Sequence, residues 1–148
     1  MKTTVRYAPA VARVLLGIVF FVFGLNGFLH FLPQPPLGGG AGAFAGALVA
    51  TGYIFPLIKA TEVIVGALLL SNRFVPLALA LVAPIVVNIV AFHVLLTPPN
   101  PLAFVVLALE VYLAWSYRHA YRPMLAARVQ PTAAKKSEPL PASIHAAA

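Results

Sequence analysis

Two charges inside an apolar run restrict this chain more than any other feature. Pro56-Leu57-Ile58-Lys59-Ala60-Thr61-Glu62-Val63-Ile64-Val65-Gly66-Ala67-Leu68-Leu69-Leu70 is apolar enough to enter a bilayer, yet it carries Lys59 and Glu62. An ionisable side chain at the centre of a membrane helix costs ~2.5 to 3.5 kcal/mol even on insertion scales, and nothing next to it in sequence repays that. The spacing puts Lys59, Glu62 and Gly66 on one helical face. There the charges can meet, and a partner helix can approach closely at the glycine. That face must therefore turn into protein or a wet cavity.

The rest of the composition supports a membrane setting. Of 148 residues, 61% are hydrophobic and 9% charged, and mean hydropathy is +0.95, whereas soluble domains carry roughly 25% charged residues. The length suits about four helices of ~20 residues with short links, which leaves no room for a separate soluble catalytic domain. Net charge is +7, concentrated at the two ends of the sequence, which suits an anionic membrane surface and speaks against nucleic acid. There is no cysteine, so dithiol chemistry, iron-sulfur ligation and disulfides are excluded within the chain.

The expected fold class is all-α, an integral membrane four-helix bundle with a short interfacial helix between helices 1 and 2. Residues 1–122 form the transmembrane domain, with helices at about 9–32, 53–70, 76–96 and 101–120, and 123–148 form a disordered cytoplasmic tail poor in residues to bury. Pro9 suits a first helical turn, and the apolar run it opens is too long for a signal-peptide core. Between Phe31 and Gly52, Gly38, Gly42, Gly46 and Ala50 recur every four residues, a small-residue stripe suited to one or two tightly packed helical turns. Pro84 predicts a kink in helix 3. Arg13 reads as an anchor whose head reaches the lipid headgroups.

Lys and Arg set the orientation. Lys2, Arg6 and Arg13 precede or open helix 1, Arg73 lies in the 2–3 link, and Arg118, Arg122, Arg128, Lys135 and Lys136 follow helix 4, while the 1–2 and 3–4 links have none. Both termini are then cytoplasmic. At 1.5 Å per residue, Glu62 lies ~14 Å below the start of helix 2 and Glu110 ~14 Å below the start of helix 4, so the two carboxylates are expected to be level. Asn26, His30, Asn88 and His93 fall in the same outer half. Together, Asn26, His30, Lys59, Glu62, Asn88, His93 and Glu110 are the candidates for an outward-facing polar pocket. Each has a plainer role open to it. Lys59 can extend alone to the interface or pair with Glu62 or Glu110, the carboxylates can be protonated structural groups, the asparagines can bond helix to helix, and the histidines can be interfacial. No HxxxH or ExxH spacing is present, so no metal site is expected.

Several of these segments resemble the DoxX family of small four-helix bacterial membrane proteins. The resemblance rests on Ala12-Arg13-Val14-Leu15-Leu16-Gly17, Gly24-Leu25-Asn26-Gly27-Phe28-Leu29-His30-Phe31, Glu62-Val63-Ile64-Val65-Gly66-Ala67-Leu68-Leu69-Leu70, and Asn88 with Phe92-His93. It covers roughly residues 13–118. It implies a bacterial cytoplasmic (inner) membrane protein and, through the family's link to thiosulfate oxidation, an accessory subunit of a redox system with a quinone-like ligand and a soluble or membrane redox partner. A small proton-coupled transporter using Glu62 or Glu110, and an assembly partner with no ligand of its own, are the alternatives. Self-association and any catalytic residue are left open.

Overall fold

The computed structural model describes residues 2–33 and 36–129. Six helices account for most of them: α1 (Lys2–Leu29), α2 (Gly39–Ala50), α3 (Ile54–Leu70), α4 (Val75–Leu95), α5 (Pro101–Ser116) and the single turn α6 (Arg118–Tyr121). The described residues are helical with no strand. By length and apolarity, Tyr7–Leu29 of α1 and α4 suit a membrane span, and α2 with α3 would make a third if that bent pair is one broken span. Such helices suit a membrane protein. Its outer surface agrees, since Leu15, Ile18, Val87, Leu95 and Trp115 are exposed while Asn26, Glu62 and Glu110 are buried.

Local chemistry sets several helix ends. Asn100 caps α5, its Oδ1 accepting from the Leu102 N–H at 3.0 Å, and Pro101 follows at the first helical position, where its missing N–H costs nothing. At the end of α3, Asn72 takes a left-handed conformation (φ 56°). The Arg73 N–H then donates to Leu68 O and the Asn72 N–H to Leu69 O, which makes a Schellman termination. Thr51 forms the corner between α2 and α3, which meet at 89°. Its Oγ1 donates to Leu48 O and accepts from the Ile54 N–H, and Gly52 supplies the positive φ of 73° that the turn requires.

The tightest helix pair is α1 against α3, and glycines make it so. A Cβ on Gly66 would stand 2.5 Å from the Phe21 nitrogen, one on Gly24 would stand 2.8 Å from the Val63 nitrogen, and one on Gly17 would meet Leu69 and Leu70. Positions rise along α1 as they fall along α3, so the two helices run antiparallel, with α1 backbone seated where Gly66 has no side chain. Helix α4 packs on α3 and α5, and α5 also on α1, which closes a ring of four around Leu16, Phe20, Val65, Leu69, Val82 and Leu113. Tyr121 ties α6 to the start of α4 by donating to Pro76 O at 3.0 Å.

Several sequence expectations are corrected. Helix α1 starts at Lys2 with Pro9 inside it, and α5 stops at Ser116, with Tyr117 separating it from α6. The segment after α1 forms a full 12-residue helix, and the Gly38/Gly42/Gly46/Ala50 stripe is not its packing face. Gly38 and Gly46 look into open space, whereas Ala41 is buried, Gly40 faces Leu96, and the Phe44 ring lies 5.7 Å from that of Phe92. The face that packs thus combines the small Gly40 and Ala41 with Phe44, whose ring has the area to bury. As expected, Pro84 lies within α4, with its ring on the exposed face. Most of the expected tail, residues 130–148, lies outside the described residues.

Candidate functional site

Lys59 and Glu62 meet as the helical spacing allows. Lys59 Nζ donates to Glu62 Oε2 at 2.8 Å, so the choice left open between Glu62 and Glu110 falls to Glu62. The glycines opposite make this geometry feasible. A Cβ on Gly27 would collide with Cγ and Cδ of Lys59, and one on Gly24 would touch Cβ of Glu62. The lysine stem therefore lies across α1 in the space a side chain at 27 would fill. Its ammonium also stands 5.7 Å from the centre of the Phe55 ring, within cation–π range.

The pair opens on a cavity of about 250 Å³ near the α4–α5 link. Val19, Phe20 and Phe23 form the α1 wall, and Leu102, Ala103 and Val106 the α5 wall. Its polar groups come from Lys59, Glu62, His93 and Asn100. Ile89 and His93, four residues apart on α4, face it together. His93 Nδ1 lies 2.8 Å from Ile89 O. A carbonyl only accepts, so Nδ1 carries the proton and donates.

Of the seven candidates, Lys59, Glu62 and His93 line this cavity and four do not. Asn26 is buried, but its Oδ1 accepts from the Leu32 N–H at 2.6 Å, so it closes the end of α1. His30 shares a helical face with Asn26 only on paper. The helix stops at Leu29, and His30 turns outward in a left-handed conformation (φ 52°). Asn88 is one residue, about 100° of rotation, from Ile89, and so lies on the exposed face, lining a separate groove of about 190 Å³ with Phe44, Phe92 and Leu96. Glu110 sits in the buried stripe Ala103, Val106, Glu110, Leu113, one turn beyond the last α5 residue on the cavity. The expected depth match fails because the start of α5 already stands beside the cavity, so counting from Pro101 carries Glu110 past it.

Two residues were misjudged from sequence. Asn100 is not among the sequence candidates, although an Asn before Pro is itself a helix-start signal. Arg13 is not a headgroup anchor, since its guanidinium donates to Leu69 O and, at 3.4 Å, to Leu70 O, the carbonyls that end α3. A cation at a helix C-terminus is favourably placed. No family model matches this chain, and neither a curated protein nor a solved structure does.

Proposed function

We propose that the chain is a DoxX-like four-helix bundle of the bacterial inner membrane that binds a small, quinone-like lipophilic molecule as an accessory subunit of a membrane redox system. In this reading α1, α3, α4 and α5 are the four crossings, α2 lies along the outer surface, and both termini are cytoplasmic. The 89° corner between α2 and α3 suits a helix lying flat beside one that crosses. At 17 residues α3 meets the lower limit for a span, and α5 reaches it with the help of α6. The absence of Lys and Arg from the 1–2 and 3–4 links favours the same orientation.

The observation that carries the ligand proposal is the Lys59–Glu62 pair and His93 opening on a cavity otherwise walled by apolar side chains. Such a site suits an apolar body with one or two polar atoms, and about 250 Å³ lies just below the ~300 Å³ at which ligand pockets usually begin, enough for a single ring and little more. The test is mass spectrometry of an organic extract of the purified protein, run beside Ala103→Leu, which fills the cavity from its α5 wall. An enriched aromatic or quinone-type molecule in the wild type, lost in Ala103→Leu, is expected. Extracts that do not differ would overturn the reading. A second reading, proton-coupled transport, draws on Glu110, which is buried with no salt-bridge partner among the described residues. It predicts substrate-dependent proton flux in vesicles that Glu110→Gln abolishes.

A further inference from the structure

The hydrogen-bonding groups left open in the cavity define the ligand more narrowly than its shape does. Glu62 uses Oε2 for Lys59, and among the described residues no group donates to Oε1. His93 has committed its proton, on Nδ1, to Ile89 O, so the neutral ring has only a lone pair, on Nε2, to offer. No fully buried side-chain nitrogen or oxygen among the described residues lacks a partner, so both free acceptors remain reachable. On the donor side, Lys59 gives Glu62 one of its three N–H groups and stands over the Phe55 ring, and Asn100, its oxygen engaged by the Leu102 N–H, keeps its amide N–H₂. The residues lining the cavity thus carry two open acceptors, on Glu62 and His93, beside open donors on Lys59 and Asn100, so a ligand that both donates and accepts uses more of them than one that only accepts.

Resting on the proposed binding of a quinone-like molecule, we infer that the cavity selects the hydroxylated form, a phenol or hydroquinone, over the quinone. A hydroxyl donates to Glu62 Oε1 or His93 Nε2 and still accepts from Asn100 or Lys59. A quinone carbonyl only accepts, and its entry would strip water from the two lone pairs without replacing it. Sites built to hydrogen-bond a ligand hydroxyl reject analogues that lack it by large factors. The expected discrimination is about tenfold or more, a conservative figure on that scale.

The experiment is equilibrium dialysis of the full chain in detergent under argon, with trimethylhydroquinone and trimethylbenzoquinone as one probe pair and 4-methoxyphenol and 1,4-dimethoxybenzene as the other. In the wild type each hydroxylated probe should bind at least about tenfold tighter than its partner, and in His93→Phe, which keeps a ring without the nitrogens, the ratio should shrink. If His93→Phe does not fold, the two ether probes decide the matter on the wild type alone. Binding of both members of each pair with equal strength, or tighter binding of the quinone, overturns the inference while leaving the proposed pocket standing. Failure of all four probes to bind, or binding undiminished by Ala103→Leu, overturns both.

Discussion

Replacing Gly66 by Ala tests whether α1 and α3 are held together by backbone contact. The new Cβ would meet the Phe21 nitrogen at 2.5 Å and its Cα and Cβ at 2.7 Å, where ordinary contact begins at 3.4 Å. The two helices must part by about an ångström, and they cannot do so locally, since Gly24 (2.8 Å) and Gly17 (3.0 Å) are also tight on either side. Overpacking of this kind costs about 1–3 kcal/mol, while Ala gains up to about 1 kcal/mol over Gly in helix propensity. Gly46→Ala provides the control, because a Cβ there meets nothing within 4 Å and only the propensity gain applies. The difference between the two variants isolates the packing term and should be about 1–3 kcal/mol, read from unfolding in mixed detergent micelles. Phe21→Ala should not rescue Gly66→Ala, because the obstructing N, Cα and Cβ atoms are all present in alanine. Equal stability of Gly66→Ala and Gly46→Ala, or rescue by Phe21→Ala, would refute the argument.

Lys59→Met leaves the buried Glu62 carboxylate without its cation and should cost on the order of 3–5 kcal/mol. Adding Glu62→Gln should recover much of that loss, and strict additivity in the cycle would show that the two groups act independently. Arg13→Leu removes a cation from the last carbonyls of α3 and should lower stability by about 1–2 kcal/mol. Arg13→Lys, which keeps the charge, should lose less, and an unchanged melting curve in Arg13→Leu would return Arg13 to the headgroups. For the topology, single cysteines at Pro99 and Asn72 in whole cells should react with an impermeant maleimide only at Pro99, and labelling at Asn72 would reverse the proposed orientation.

What was legible in the sequence follows from what a helix repeats. Lys59, Glu62 and Gly66 fall on one face by periodicity alone, and the pairing and the close approach at Gly66 followed from it. Asn88 and His93 are five residues apart, well over a quarter turn from sharing a face, and periodicity should have separated them. The position of Arg13 was beyond such reasoning, because its acceptors at Leu69 and Leu70 lie 56 and 57 residues along the chain. His30 failed for a local reason. The face it shares with Asn26 exists only while the helix lasts, and Asn26 itself ends the helix by taking the Leu32 N–H.

The glycines of α1 and the charges of α3 belong to one physical solution. A lysine one turn from the start of α3 would ordinarily extend along its own helix toward water, keeping its ammonium hydrated. Here the stem is laid against α1 at Gly27, where any larger residue would occupy the same space. That course holds Nζ within 2.8 Å of Glu62 and keeps the carboxylate from facing hydrocarbon alone. Gly24, one turn away, lets α1 settle against Glu62 itself, so the side chain is enclosed on that flank and left open toward the cavity. The close helix contact and the polar cavity wall therefore depend on the same missing side chains. A substitution that loosens α1 from α3 should disturb the cavity as well as the fold, even where it touches neither Lys59 nor Glu62.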